Sequence, residues 1–174
     1  MIVAILAALQ GAQAAAPPPA QIQSSQVAEL RTPDGRLVAR AMVFSAGGPL
    51  QVRIQSAGLP PGQYGAHIHA VGRCEGPAFE SAGPHWNPTS RQHGSLNPEG
   101  HHLGDLPNLE IDAEGHGRVE YAIAGATMEA SPQGLFDADG AAFVIHAAPD
   151  DYRTDPAGNS GARIACAVLN PPAP

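Results

Sequence analysis

The sequence predicts an all-β fold, a barrel or sandwich of about eight short strands in a Greek-key arrangement. Three observations lead to this prediction. Apolar and polar residues alternate over short runs, turns rich in Gly and Pro separate the runs, and no stretch keeps a helical period. With 174 residues, of which 43% are hydrophobic, the chain can bury one core and is too short for two typical domains.

The expected strands follow one another along most of the chain. The region 27–55 alternates apolar and polar residues and is interrupted by turns at 33–35 and 46–49. A proline-rich turn at 59–62 leads into a strand that carries His67 and His69. Further strands are expected over 108–111, 118–123, 142–147 and 165–169, with turns at 112–115 and 137–140.

The amino-terminal residues differ in composition from the rest of the chain. Residues 1–16 form an apolar run followed by a small-x-small step, so we expect a secretory signal peptide cleaved near 14–16. Residues 17–26, which begin with an Ala/Pro-rich stretch, are expected to be a flexible tail, and 27–174 the folded domain. An exported protein meets an oxidising compartment, so the two cysteines suit one disulfide; two buried free thiols are the alternative.

The charge of the chain excludes some classes of partner. The formal net charge is -7 at pH 7, and all nine basic residues are arginine. We therefore expect no binding to nucleic acid, whose phosphates require a basic surface. No further apolar run reaches the length of about 18 residues that a membrane helix needs, so no membrane span is expected.

Six of the eight histidines form a pattern that predicts a metal site. Imidazole nitrogen suits copper and zinc, and His67 and His69 lie two apart, which places both side chains on one face of a strand. The segment 85–105 is an irregular loop that three imidazoles and one carboxylate around an ion would anchor. The donors suffice for two metals only if one is shared, and His85 is the natural bridge. The candidate ligands are His67, His69, His85, His93, His102, Asp105 and His146.

Five segments together resemble the copper/zinc superoxide dismutase family, in particular its secreted bacterial branch. Eight residues lead from His85 to His93, nine more to His102 and three more to Asp105, and these gaps match the family as well as the residue types do. The resemblance implies an eight-stranded Greek-key barrel with long metal-binding and active-site loops. The segments are 65–69, 82–88, 102–108, 144–146 and 158–166.

The resemblance also implies roles for individual residues. Arg163 resembles the arginine that docks the substrate anion, and Asp150 the carboxylate that connects a copper histidine to a zinc histidine. Cys74 and Cys166 correspond to the family disulfide. The implied copper ligands are His67, His69, His85 and His146, and the implied zinc ligands are His85, His93, His102 and Asp105.

The activity that the resemblance implies is dismutation of superoxide to dioxygen and hydrogen peroxide. In the family mechanism copper cycles between two oxidation states, zinc organises the loop, and His85 leaves copper, takes a proton and returns it. Arg163 and His85 are therefore the expected catalytic residues. The resemblance also implies secretion, most simply to a bacterial periplasm, and leaves room for a homodimer. A non-enzymatic copper- or zinc-binding protein of the same fold is the alternative.

Several residues compete with these assignments. His101 could replace its neighbour His102 through a one-residue slip, and Asp151 could take the role given to Asp150. Arg163 could instead be a surface residue that caps nearby carbonyls. His116 lies in a Gly-rich turn and is expected to be solvated, and Trp86 is expected to serve packing.

Overall fold

The computed structural model describes residues 22–169 except 130, 132 and 139. Within them the chain forms nine β-strands and one turn of 3-10 helix, Glu80–Ala82. The strands are β1 Ser24–Arg31, β2 Leu37–Ser45, β3 Leu50–Ser56, β4 Gly62–Tyr64, β5 Ala66–His69, β6 Leu109–Ile111, β7 Arg118–Ile123, β8 Ala141–His146 and β9 Arg163–Leu169.

The strands build a curled antiparallel sheet in the order β5-β8-β9-β1-β2-β3-β7, with β4 and β6 paired beside it. Gly65 separates β4 from β5, so this one stretch of chain pairs first with β6 and then with β8. If β4 and β5 count as one interrupted strand, the described residues hold eight. The predicted fold class, an all-β, eight-stranded Greek-key barrel or sandwich with long loops between its later strands, is thus confirmed.

The core lies inside the curled sheet. It consists of the inward residues of the alternating strands, such as Leu30, Val43 and Ile54, which are 1% exposed or less. In β8 every residue is buried, so this strand lacks the alternation seen in β1 to β3. Trp86 packs into the same cluster, as expected.

The first strand begins earlier than expected. Ser24, Ser25 and Gln26 pair with β2 residues, although the sequence predicted a flexible tail up to residue 26. That boundary is corrected, because backbone pairing to a long neighbour holds a polar segment that has no apolar alternation of its own. Residues 1–21, with the expected signal peptide and most of the tail, lie outside the described residues.

A disulfide joins the loop after β5 to the last strand. Cys74 and Cys166 are bonded, with their Cα atoms 5.7 Å apart and a separation of 92 residues along the chain. The predicted pairing is confirmed, and no cysteine is left free. Closing so long a loop stabilises the fold by about 4 to 5 kcal/mol in the chain-entropy model.

Both ends of the loop 85–105 are joined to β5 by backbone hydrogen bonds. The N–H of Trp86 donates to the carbonyl of Ile68, and the N–H of Ile68 donates to the carbonyl of Gly104. Gly104 in turn donates to the carbonyl of Trp86. This three-way junction brings the loop ends beside the strand that carries His67 and His69.

Among the described residues, the structure contains no apolar helix of the length that a membrane span requires.

Candidate metal centre

Four buried histidines from three parts of the chain meet beside β5. Each contributes a ring nitrogen, and these nitrogens all lie within 4.8 Å of one another. The ring centroids of His67 and His85 are 3.9 Å apart. This first group consists of His67 and His69 on β5, His85 at the start of the loop and His146 at the end of β8.

Hydrogen bonds on the outer side of the group orient its rings. His69 Nδ1 donates to the carbonyl of Gly83 at 2.8 Å, and His146 Nδ1 donates to the carbonyl of Gly161 at 3.1 Å. With one nitrogen held as a donor, the other keeps its lone pair for a metal.

The inward nitrogens of this group are buried without a protein partner. They are His67 Nδ1, His69 Nε2, His85 Nε2 and His146 Nε2. Buried polar atoms are nearly always paired, so four unpaired nitrogens that converge on one point fit a bound metal ion. An all-imidazole set suits copper.

A second group surrounds one oxygen of Asp105. Asp105 Oδ1 lies 3.0 Å from His85 Nδ1, 3.0 Å from His93 Nδ1 and 3.2 Å from His102 Nδ1. The two nitrogens of His85 and His102 are 3.4 Å apart. Zinc bonds of about 2.0 to 2.1 Å put neighbouring ligands of a tetrahedron about 3.3 Å apart, so the spacing fits zinc.

The other oxygen of Asp105 holds the loop. Asp105 Oδ2 accepts backbone N–H groups of Gly94 at 2.9 Å and of His102 at 3.0 Å. Oδ1 is thereby left to the metal position. His85 belongs to both groups, with Nδ1 directed to the second and Nε2 to the first, which is the arrangement that a bridging ligand requires.

Asp150 connects the two groups from outside. Its Oδ2 accepts from His67 Nε2 at 2.8 Å, and its Oδ1 accepts from His93 Nε2 at 2.9 Å. Asp151, the competitor for this role, is exposed and accepts instead from Thr154 in the same turn. The structure therefore brings Asp150, and not Asp151, to the histidines.

Burial tunes the first group toward neutral imidazoles. It lowers the pKa of His67 to about 3, of His69 to about 2 and of His146 to about 4. A metal ligand must be deprotonated, so these rings are ready to bind at neutral pH without losing a proton from the donor nitrogen.

The second group carries charge. Burial acts to lower the pKa of His93, but hydrogen bonds with Asp105 and Asp150 outweigh it and raise that pKa to about 9. Burial likewise acts to raise the pKa of Asp105, yet hydrogen bonds with the three histidines hold it well below its usual range. Without a metal, an imidazolium and two carboxylates thus stabilise each other here.

Arg163 lies half-buried at the start of β9, beside the first group. Its Nη1 donates to the carbonyl of Phe79 at 2.7 Å and its Nη2 to the carbonyl of Gly83 at 2.8 Å. The Gly83 carbonyl also accepts from His69. Arg163 does cap carbonyls, as the alternative interpretation held. One of these carbonyls, that of Gly83, also orients His69, so the guanidinium is fixed beside a histidine of the first group.

The remaining histidines stay outside both groups. His101 donates through Nδ1 to the carbonyl of His102 at 2.7 Å, so the slip that would exchange the two is not what the structure holds. His116 has a side chain that is 83% exposed in the turn between β6 and β7.

Sequence reasoning missed one residue that positions the site. The side chain of Asn108 donates to the carbonyl of Asp150 at 3.0 Å and accepts from its N–H at 2.8 Å. The N–H of Asn108 also contacts the hydroxyl of Tyr152 at 2.8 Å. Asn108 stands three residues after Asp105 in a segment with family resemblance, and that position is a usable signal, although the sequence pattern predicts there only the start of a strand.

Comparison with known proteins agrees with this centre. The family model described as copper/zinc superoxide dismutase (SODC) matches residues 39–169. The chain is 42% identical over 144 residues to Cu-Zn superoxide dismutase 2 of Aquifex aeolicus, an alignment covering 82% of this chain and 84% of that protein. It is 38% identical over 148 residues to the Cu-Zn superoxide dismutase of Caulobacter vibrioides, covering 83% and 85%.

Solved structures are also similar. The crystal structure of a superoxide dismutase-like protein from Bacillus subtilis has a TM-score of 0.77 at 42% identity, covering 82% of this chain and 97% of that one. The Cu/Zn superoxide dismutase from Brucella abortus has a TM-score of 0.65 at 28% identity, covering 84% and 100%. The chain belongs to the copper/zinc superoxide dismutase family, and its two buried histidine groups are able to hold the copper and zinc that this family binds.

Proposed function

We propose that this protein dismutates superoxide, converting two superoxide anions and two protons into one dioxygen and one hydrogen peroxide. The proposed copper ligands are His67 Nδ1, His69 Nε2, His85 Nε2 and His146 Nε2. The proposed zinc ligands are His85 Nδ1, His93 Nδ1, His102 Nδ1 and Asp105 Oδ1.

Copper, when bound, supplies the one-electron couple that dismutation requires, whereas zinc has no redox chemistry and organises the loop. Arg163 offers a permanent positive charge to the small anion, because a guanidinium stays protonated at every working pH. His85 holds a proton on Nε2 when that nitrogen is free and releases it toward the forming peroxide. Asp105 Oδ1 lies 3.0 Å from Nδ1 of the same ring. Bound zinc would take up both atoms and hold the ring, so that Nε2 would return to one position.

The observation that carries this proposal is the set of four buried nitrogens without partners beside a fixed arginine. A protein that only stores metal has no need of an arginine fixed on the same carbonyl that orients one of its ligand histidines. Relatives named as dismutases in two bacteria also favour an enzyme over a non-enzymatic binding protein.

The test is an activity assay on protein loaded with copper and zinc. We expect rapid removal of superoxide that disappears on copper extraction and returns on reloading. A protein loaded with both metals, at one equivalent each, that leaves superoxide at its uncatalysed rate of decay would exclude the enzyme and leave a binding protein.

We infer further that the protein is exported, with the leader 1–16 removed near 14–16 and the folded domain following the short tail. The disulfide and the bacterial relatives support an oxidising location such as a periplasm. Fractionation of the native cells with mass measurement of the mature chain tests this. Recovery of the intact chain, from residue 1, in the cytoplasm would contradict it.

A further inference from the structure

We propose that Glu80 sets the anion selectivity of the metal centre by placing one negative charge in the lining of the cavity where Arg163 supplies one positive charge. The carboxylate disfavours every anion that approaches and disfavours a dianion twice as strongly as a monoanion. This inference deepens the proposed function, because it concerns the same anion site.

A cavity of about 480 Å³ opens beside Arg163. Its lining residues are Pro77, Ala78, Glu80, Gly161, Ala162 and Arg163. Glu80 and Arg163 are the charged members of this lining, and the others are small or apolar. The lining itself therefore contributes one negative and one positive charge, in a chain whose formal net charge is already -7.

The local fold holds the two charges in a fixed relation. The carbonyls that accept from Arg163 belong to Phe79 and Gly83, and they flank the helical turn Glu80–Ala82. Glu80 is the first residue of that turn, so the contacts that hold the arginine also hold the backbone of Glu80. Phe79 and Ala82 are buried, which keeps the turn from swinging away.

Glu80 is exposed, and no ion pair with a described residue neutralises it. Its field nevertheless reaches the guanidinium: burial lowers the pKa of Arg163, and the charge of Glu80 acts in the opposite direction. The carboxylate is thus close enough to act on Arg163 and free enough to act on an approaching anion as well.

The charge of the ligand gives a signature that a structural effect lacks. The Coulomb energy between Glu80 and a ligand is proportional to the ligand's charge, so a factor f for a monoanion becomes f squared for a dianion. For charges about 8 Å apart that are separated mostly by water, with an effective dielectric constant of about 45 to 80, f is about two to five at low ionic strength, and salt reduces it.

The experiment compares Glu80→Gln with wild type, both loaded with copper and zinc, at low ionic strength. Titration of the copper(II) absorption with azide gives the monoanion affinity, and competition by sulfate gives the dianion affinity. We expect azide to bind about two- to fivefold more tightly and sulfate about four- to 25-fold more tightly, with superoxide kcat/KM rising by the azide factor.

Two controls separate local from general effects. Glu114→Gln removes the same charge in the exposed turn between β6 and β7, and we expect it to change neither affinity appreciably. Glu80→Asp keeps the charge and should behave as wild type. Raising the salt to about 0.5 M should shrink the difference between Glu80→Gln and wild type.

Three results would overturn the inference: affinities in Glu80→Gln equal to those in Glu114→Gln, equal factors for azide and sulfate, or a wild-type protein that binds no azide. Failure of the dismutase proposal looks different. In that case the anion affinities shift as expected, while the wild type leaves superoxide untouched.

Discussion

Arg163 contributes both a charge and a fixed direction. Because two carbonyls hold its guanidinium, an anion meets it without the entropy cost of ordering a free side chain. We predict that Arg163→Ala slows superoxide capture by on the order of tenfold or more and flattens its dependence on ionic strength. Pulse radiolysis over a range of salt concentrations measures both quantities.

The matched control is Arg36→Ala, which removes an exposed arginine in the turn between β1 and β2. It changes the net charge equally and should leave the rate and its salt dependence nearly intact. If Arg163→Ala behaved like this control, the assignment of Arg163 as the docking residue would be wrong.

Asn108 is connected to the candidate metal centre through Asp150. Its amide makes two hydrogen bonds to the Asp150 backbone, and that carboxylate in turn orients His67 and His93. We predict that Asn108→Ala lowers the free energy of unfolding by about 1 to 3 kcal/mol and weakens zinc binding about 10- to 100-fold. Denaturant titration and competition with a chromophoric chelator provide the two values.

Asn87 offers a control of the same geometry, since its amide also binds one residue's backbone through both atoms, at Arg91 in the exposed part of the loop. Asn87→Ala should cost less stability and leave zinc affinity within a few fold of wild type. Equal losses of zinc affinity in both variants would show that general loop stability, not the position of Asp150, explains the effect.

At the scale of elements, the segment between β8 and β9 covers the metal centre and depends on one glycine. Gly158 has φ +62, and a Cβ there would overlap the Asp150 carboxylate and lie 2.7 Å from His93 Nε2. We therefore predict that Gly158→Ala displaces Asp150. The copper(II) spectrum should change and metal affinity should fall, in addition to a loss of stability.

Gly115→Ala is the control that separates the displacement of Asp150 from the general loss of stability caused by alanine at a positive φ. Gly115 has φ +85, and the space within 4 Å of the position that a Cβ would take is open. Alanine there meets only backbone strain of about 1 to 2 kcal/mol. The copper(II) spectrum of Gly115→Ala should match wild type. A wild-type spectrum in Gly158→Ala as well would contradict the predicted displacement.

The strands were predictable from the sequence where residues close together in the chain are sufficient to specify them. Alternation and turns located the strands to within a few residues, because a half-buried strand imposes a period of two on its own sequence. The split at Gly65 and the early start of β1 at Ser24 depend on partner strands distant in the chain. No local pattern reports which partner a strand will find.

At the scale of the whole molecule, the buried histidines make the metal-free fold sensitive to acid. His67, His69 and His146 have folded pKa values of about 3, about 2 and about 4, against 6.5 for an exposed histidine. Below pH 6.5 these three histidines become protonated in the unfolded chain but stay neutral in the folded chain. The stability from these residues is therefore full above about pH 6.5 and is lost progressively as the pH falls from there to about 2.

His93 contributes with the opposite sign, because its folded pKa is raised to about 9, so its stability is full below 6.5 and is lost as the pH rises to about 9. We predict that the melting temperature of metal-free protein is highest near neutral pH and falls on both sides. Calorimetry from about pH 5 to 9 measures it. His69→Gln should weaken the fall of the melting temperature below neutral pH, and the exposed His116→Gln should not. A wild-type melting temperature that does not change below neutral pH would refute the prediction.

The sequence by itself determined the fold class and which residues are candidate metal donors, since the strand period and the donor chemistry are properties of the residues. The tertiary structure decided which nitrogen of each ring turns inward, that Asp150 rather than Asp151 joins His67 to His93, and that Glu80 shares a cavity with Arg163. These features depend on hydrogen bonds and packing between loops far apart in the chain, which no local pattern of residues encodes.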